Sequence, residues 1–221
     1  MLLEEKNKTI EIPIGQVLLK GNLFVPANAS ALVLFSHGSG SSRLSPRNNY
    51  VASVLQQEGL ATLLFDLLTE EEDLQYKTRF NIDLLTKRLI GVTDWIKTQK
   101  ETKGLQLAYF GASTGAASAL SAAAYFGDEI SAVVSRGGRP DLAMSELHKV
   151  TAPTLLIVGG WDKVVIVLNQ KAYGNLRCER KLEVIPEATH LFEEEGKLED
   201  VAALSAKWIT EHLQPKRVKN V

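Results

Sequence analysis

The sequence is poor in the features that mark secreted, membrane-spanning and nucleic-acid-binding proteins. Cys178 is the only cysteine among 221 residues, which excludes a disulfide within the chain and a cysteine-rich metal site. The formal net charge is −1, so no basic excess is available to displace the counterions of a nucleic acid. No apolar run reaches the length of a membrane span, and Glu4, Glu5 and Lys6 interrupt the first leucines where a signal peptide would be apolar. We therefore expect a cytoplasmic protein that binds neither nucleic acid nor membrane.

The composition is that of a globular protein, with 45% apolar and 23% charged residues. Nearly continuous apolar runs alternate with amphipathic segments, a pattern typical of parallel strands buried on both faces. The runs cover residues 31–36, 61–66, 105–110, 131–135, 153–160 and 180–185. Helices are predicted over 81–98, 114–126 and 197–213. Residues 10–25 predict two antiparallel strands that turn near Lys20 and Gly21.

This alternation predicts an α/β fold with a doubly wound, mostly parallel sheet that is preceded by the two antiparallel strands. No linker or large insertion divides the sequence. We therefore expect a single domain over residues 1–221 without a large cap domain, with its core at about 12–213 and a polar tail at 214–221. Ligands of such sheets bind beyond the carboxyl ends of the strands, so the residues after each apolar run are the first candidates for a site.

The most specific motif is Gly111-Ala112-Ser113-Thr114-Gly115, a G-x-S-x-G sequence between a predicted strand and a predicted helix. A sharp strand-to-helix turn at this point exposes the serine hydroxyl, and the two glycines leave room for close packing. The alternative is a glycine-rich turn with an idle serine. Because the motif lies where strand passes into helix, it favours Ser113 as a catalytic nucleophile.

A serine nucleophile needs a base to take its proton and a carboxylate to orient that base. In folds with this nucleophile turn, the chain order is serine, then the acid, then histidine, each in a loop after a strand. His190 lies between the last apolar run and the last helix and is the candidate base, whereas His212 lies within that helix. Asp162 follows the next-to-last run and is the candidate acid, with Asp141, one strand earlier, as the runner-up.

Acyl transfer also needs hydrogen-bond donors for the negative charge that develops on the carbonyl oxygen. The backbone N–H of Thr114, at the start of a helix, is one candidate. The loop after the 31–36 run contains His37-Gly38-Ser39-Gly40, and the backbone N–H of Ser39 is the second candidate. This loop lacks the lysine of a phosphate-binding P-loop, and His37 itself is interpreted as a structural hydrogen-bonding residue.

From about residue 12 to 213 the sequence resembles the α/β-hydrolase superfamily, because HGSG, GASTG, GGWDKVV and ATHLF occur in that order after successive strands. The absence of a large insertion resembles the compact dienelactone-hydrolase-like group. That resemblance implies the α/β-hydrolase fold and cleavage of carboxylic esters or lactones without a metal or cofactor. Dienelactone hydrolases proper use a cysteine nucleophile, where this sequence has Ser113. Similar domains also occur fused to phosphoribosyltransferase-like domains.

Four arginines follow strands at the predicted active-site edge and are candidate substrate-binding residues: Arg43, Arg47, Arg136 and Arg139. Their guanidinium groups could clamp a carboxylate or phosphate of the substrate. The alternative is that they pair with local acids such as Asp141 and hold the loops. Trp161 and Phe192 are candidates for an acyl pocket or for core packing, and the acidic segment 67–79 is either a short lid or a solvated loop.

The leading functional hypothesis is a serine hydrolase that cleaves small-molecule esters or lactones, some of them anionic, through an acyl-enzyme. A thioesterase or small peptidase would use the same three residues on a different bond. A catalytically silent binding protein on the same fold is the alternative from another functional class.

Overall fold

The computed structural model describes residues 6–214 and is built around one eight-stranded sheet. The strands are β1 (Lys6–Ile14), β2 (Val17–Val25), β3 (Ala31–Ser36), β4 (Ala61–Phe65), β5 (Gln106–Ala112), β6 (Ile130–Arg136), β7 (Thr154–Gly159) and β8 (Arg180–Ile185). Their spatial order is β1-β2-β4-β3-β5-β6-β7-β8. The pairs β1–β2 and β2–β4 are antiparallel, and the remaining pairs from β4 to β8 are parallel. The predicted mostly parallel sheet with N-terminal antiparallel strands is thereby confirmed.

Seven α-helices lie in the described part of the chain: α1 (Pro46–Gln57), α2 (Glu70–Asp73), α3 (Tyr76–Arg79), α4 (Ile82–Thr98), α5 (Thr114–Phe126), α6 (Lys163–Asn175) and α7 (Lys197–Glu211). Buried residues of α4, α5 and α6 pack on one face of the sheet, and those of α1 and α7 pack on the other. Along β3, Leu34 contributes to the first core and its neighbour Phe35 to the second. Because successive strand residues point to opposite covered faces, the strand reads as a continuous apolar run. Between residues 6 and 214, no helix combines the length and the apolar character needed to cross a bilayer.

The N-terminal hairpin turns earlier than predicted. Ile14 pairs with Val17, so the turn lies at Gly15 and Gln16, and Gly15 has a φ of 60°. The predicted turn near Lys20 and Gly21 was wrong, because both residues lie within β2. Gly21 makes room for its neighbours instead: a Cβ at that position would come within 3.1 Å of the Ile12 side chain. The predicted polar tail lies outside the described residues from position 215 onwards.

The acidic segment 67–79 contains two one-turn helices rather than an irregular loop. A capping box begins α2: the Glu72 N–H donates to the Thr69 hydroxyl at 3.2 Å, and the Thr69 N–H donates to the Glu72 carboxylate at 2.9 Å. Arg88 of α4 also donates to Glu72, at 2.6 Å. These bonds attach the segment to α4, next to the loop that follows β3.

Candidate active site

Ser113 occupies a strained turn between β5 and α5, with a φ of 51° and a ψ of −122°. A positive φ is unfavourable for a residue with a Cβ, and such geometry is concentrated at functional sites. The turn is held from β6, because the Ser113 N–H donates to the carbonyl of Arg136 at 3.2 Å. Gly115 is required for packing: a Cβ there would lie 2.1 Å from the carbonyl oxygen of Ser36. The chain thus places a serine where α5 begins against the end of β3.

Asp162 and His190 come from adjacent strands and form a hydrogen-bonded pair. Asp162 precedes α6 after β7, His190 follows β8, and the imidazole Nδ1 lies 2.7 Å from Oδ2 of the carboxylate. Since an ionised carboxylate only accepts, Nδ1 carries the proton, and Nε2 of the neutral ring is the basic nitrogen. The Asp162 side chain is 15% exposed and that of His190 is 38% exposed, so the acid is shielded while the ring reaches solvent.

The loop that carries His190 lies directly on the loop that carries Asp162. The Trp161 N–H donates to the carbonyl of Ala188 at 2.9 Å, and the Gly160 N–H donates to that of Ile185 at 2.8 Å. Gly159 permits this contact, because a Cβ there would lie 2.4 Å from the Ala188 carbonyl oxygen. The glycine pair before Asp162 therefore has a packing reason.

Ser113 and His190 line one cleft of about 220 Å³ at the carboxyl edge of the sheet. Its other walls come from the loop after β3, the start of α1 and the end of β6: Gly38, Ser39, Ser41, Ser45, Arg47, Asn48, Ala112, Arg136 and Leu191. Within residues 6–214 no hydrogen bond joins the Ser113 hydroxyl to the imidazole. Bonds between a nucleophile and its base are often long until substrate binds, so the geometry is compatible with a triad.

The two candidate oxyanion donors differ in their surroundings. Thr114 is the first residue of α5, so its N–H has no partner within the helix. The Ser39 N–H instead donates to the side-chain hydroxyl of Thr114 at 2.9 Å. Sequence reasoning assigned Thr114 a role through its backbone and missed this link between its side chain and the loop after β3. The role of Ser39 as a donor stays a prediction, and it requires this bond to be released or shared.

His37 also lies at this edge, but both of its ring nitrogens are engaged by the backbone. The Leu67 N–H donates to Nε2 at 3.0 Å, so Nδ1 carries the proton and donates to the Gly38 carbonyl at 2.9 Å. Burial lowers the pKa of His37, which favours the neutral ring that this pattern requires. The ring therefore joins the loop after β3 to the segment after β4.

The structure separates the four candidate arginines into two pairs. Arg43 forms an ion pair with Asp66, and Arg139 makes two hydrogen bonds of 2.8 Å to Asp141. Asp141, the runner-up for the acid, is therefore engaged by an arginine. Arg47 and Arg136 line the cleft together with Ser113; Arg47 also forms an ion pair with Glu193, whereas Arg136 has no carboxylate partner among residues 6–214.

The remaining candidates lie away from the reacting groups or contribute to packing. His212 interacts through its two ring nitrogens with the Trp208 carbonyl at 2.7 Å and with Glu179 at 3.2 Å. Phe192 is buried in the core beneath α7, whereas Trp161 is 58% exposed.

The glutamates that follow His190 hold its loop. Arg47 donates to Glu193 at 2.8 Å, and the Thr189 N–H donates to Glu194 at 3.1 Å. Sequence spacing gave no signal for these two contacts.

Comparisons with known proteins agree with this architecture. Residues 19–213 match the model of the dienelactone hydrolase family. The chain is similar to a dienelactone hydrolase of known crystal structure from Anabaena variabilis, with 53% identity, a TM-score of 0.92, and coverage of 95% of this chain and 99% of that one. Est1E from Butyrivibrio proteoclasticus shares the fold, with a TM-score of 0.77 and 18% identity over 92% of this chain and 98% of that one.

Two Mycobacterium tuberculosis proteins, each named "Putative phosphoribosyl transferase", are 53% identical to this chain over 208 residues. The match covers 94% of this chain and 47% of each relative. The chain therefore spans about half the length of these two relatives, and their name describes proteins that contain a further, unmatched half.

Proposed function

Because the chain belongs to the dienelactone hydrolase family and its Asp162–His190 pair shares a cleft with Ser113, we propose that it is a serine hydrolase of small carboxylic esters or lactones. The observation that carries the proposal is the 2.7 Å bond between His190 and Asp162 beside a serine held at positive φ. A hydroxyl at a strained turn, a basic nitrogen and a carboxylate that orients it are the three parts that nucleophilic acyl transfer needs.

In the proposed reaction the Ser113 oxygen attacks the carbonyl carbon while Nε2 of His190 takes the hydroxyl proton. Asp162 keeps the ring in the required tautomer and stabilises the imidazolium that forms. The N–H of Thr114 stabilises the negative charge on the carbonyl oxygen. Collapse of the tetrahedral intermediate breaks the ester bond, and His190 returns the proton to the leaving alkoxide. Water, deprotonated by His190, then attacks the acyl-enzyme; the bond between the acyl group and the Ser113 oxygen breaks, the acid is released, and His190 returns the proton to Ser113.

The size of the cleft, about 220 Å³, supports a small substrate. The serine at position 113 departs from the cysteine nucleophile of dienelactone hydrolases proper, so dienelactone itself is not part of the proposal. The reaction needs no cofactor, because the three side chains and water supply every proton and electron pair.

The proposal is tested with short-chain p-nitrophenyl esters on wild type, Ser113→Ala and Ser41→Ala. Ser41 lines the same cleft and is a matched control for loss of a hydroxyl. We expect Ser113→Ala to lower kcat/KM by about 10³-fold or more, and Ser41→Ala by only a few-fold. Equal activity of Ser113→Ala and wild type would exclude Ser113 as the nucleophile.

The bond that is cleaved is tested by giving wild type an oxygen ester, a thioester and an anilide of the same acyl group. The hydrolase proposed here favours the oxygen ester in kcat/KM. A preference for the thioester or the anilide would instead identify the protein as a thioesterase or a small peptidase that uses Ser113.

A further inference from the structure

Arg136 is a buried cation that lines the cleft beside the nucleophile. The residue is 6% exposed, and its Nη2 donates to the Asn48 amide oxygen at 3.1 Å. Asn48 is itself buried, at 2% exposure. The guanidinium carbon lies 6.0 Å from the centre of the Phe192 ring, while Nε has no hydrogen-bond partner among residues 6–214. The guanidinium has five donor hydrogens, and the neighbours described for it are one neutral acceptor, the Asn48 amide oxygen, and the face of the Phe192 ring.

No carboxylate of the described residues pairs with Arg136, in contrast to Arg43 and Arg139 at the same edge. Buried charges in proteins are normally paired, because removing an ion from water has a high free-energy cost. Burial, with the charge of the neighbouring Arg47, lowers the pKa of Arg136 to about 10, so the group still carries its proton at neutral pH. The free protein thus holds a positive charge that lacks a partner inside the cleft.

The guanidinium of Arg47 adds positive charge to the same cleft. Arg47 lines the same cleft, its side chain is 34% exposed, and one nitrogen donates to the exposed Glu193 at 2.8 Å. Its Nε, like that of Arg136, has no hydrogen-bond partner in the described part of the chain. Glu193 offsets part of the Arg47 charge, so the unpaired Arg136 supplies most of the positive charge that favours an occupant with negative charge.

We propose that Arg136 and Arg47 form a subsite for an anionic oxygen group of the substrate, a carboxylate or a phosphate, and this inference rests on the ester hydrolysis proposed above. The position of Arg136 in the fold limits where the anionic group of the substrate lies. Arg136 pairs in register with Ala112, directly before the nucleophile, and its carbonyl accepts the Ser113 N–H. Because Arg136 and Ser113 also line one cleft of about 220 Å³, the anionic group would belong to the same small substrate as the ester, and charge-assisted bonds to guanidinium select esters that carry it.

The primary test compares monomethyl succinate with methyl butyrate by methanol release, since the two esters differ mainly in a terminal carboxylate. In wild type we expect kcat/KM to be at least about tenfold higher for the anionic ester. Arg136→Gln should remove most of this preference, because its kcat/KM should fall further for the anionic ester than for the neutral one. Arg180→Gln removes a positive charge that contacts Tyr173 away from the cleft and is the matched control. An unchanged preference in folded Arg136→Gln would overturn the proposal.

Because Arg136 is buried, its substitution could prevent folding, and Arg47→Gln gives an independent test at a more exposed position. We expect Arg47→Gln to reduce the anionic preference by about three- to tenfold. If Arg136→Gln is not folded by circular dichroism, an unchanged preference in Arg47→Gln overturns the proposal.

Binding without turnover separates failure of the subsite from failure of the proposed hydrolase. Succinate and inorganic phosphate are added to Ser113→Ala and to Ser113→Ala/Arg136→Gln, and the thermal midpoint is measured. If the subsite exists, ligand should raise the thermal midpoint of Ser113→Ala but not that of Ser113→Ala/Arg136→Gln. The ligand with the larger shift shows whether the subsite prefers a carboxylate or a phosphate. If ligand raises the thermal midpoint of Ser113→Ala but wild type hydrolyses no ester, the proposed hydrolase activity is contradicted and the anion subsite is not. Hydrolysis without a difference between the two proteins would contradict the subsite alone.

Discussion

His37 and His190 lie at the same edge of the sheet but have different surroundings. His37 follows β3, is 6% exposed, and has each ring nitrogen within hydrogen-bonding distance of a backbone group. His190 follows β8 and has one ring nitrogen hydrogen-bonded to the Asp162 carboxylate. Its side chain is 38% exposed to solvent and lines the cleft. A histidine with both nitrogens satisfied has no site for a substrate proton. We therefore propose that a ring nitrogen without a backbone partner, rather than proximity to Ser113, makes His190 the general base and leaves His37 a structural residue.

The largest expected effect is the difference in activity between substitutions of these two residues. His190→Gln removes the base and should lower kcat/KM for a short ester by about 10⁴-fold or more. His37→Gln keeps the reacting groups and should lower kcat/KM far less, through disturbance of the loop that carries Gly38 and Ser39. Steady-state rates of the two purified variants check the comparison, and similar losses in both would remove the distinction drawn here.

A smaller loss is expected when the carboxylate that orients His190 is changed. Asp162→Asn can hold the ring in the wrong tautomer, and we expect a decrease in kcat of about 10²- to 10⁴-fold. Asp141→Asn is the matched control, because its carboxylate is bound by Arg139. It should change kcat by no more than a few-fold. A larger decrease in Asp141→Asn than in Asp162→Asn would assign the acid to the earlier strand.

The smallest expected effect is a pH dependence of stability that arises from His37. Its pKa is lowered by burial, so the unfolded state takes up a proton at a higher pH than the native state does. The free energy of unfolding should therefore fall as pH decreases through about 6.5 towards the lower native pKa, by at most about 1.4 kcal/mol per pH unit. Urea unfolding of wild type and His37→Leu between pH 7.5 and 5 measures this difference. A parallel pH dependence in both proteins would show that His37 does not supply it.

Much of the sheet could be predicted from the sequence, because strands covered on both faces require continuous apolar runs. Besides the one-turn helices α2 and α3, the longer helices α1 and α6 were not predicted. Only four residues of α1 are buried, one of them Asn48, and in α6 Val164 and Val167 are exposed. Neither segment therefore shows the regular apolar stripe by which helices are recognised. The hairpin turn was misplaced because Gly21 permits close side-chain packing, which a local pattern does not distinguish from a turn.

The candidate site also contains residues that the sequence predicts and contacts that it does not predict. Ser113, Asp162 and His190 could be selected from motif and chain order, because each follows a strand whose carboxyl end lies at one edge. Pairing with a local acid was one of the two alternatives for the arginines, and Arg139 does pair with Asp141, two residues away. Asp66, the partner of Arg43, lies 23 residues away in the sequence and could not be selected. The contacts of Asn48 and Glu193 depend on how loops from distant parts of the chain meet, which no local periodicity records.

The proposed mechanism requires Ser113 to be activated by His190 rather than by His37, and covalent labelling measures that activation. Wild type, Ser113→Ala, His190→Gln and His37→Gln are treated with a fluorophosphonate, and adducts are measured by intact mass and peptide mapping. We predict a single adduct on Ser113 in wild type and in His37→Gln, none in Ser113→Ala, and much slower labelling in His190→Gln. An adduct on another residue, or equally fast labelling of folded wild type and His190→Gln, would contradict the claim.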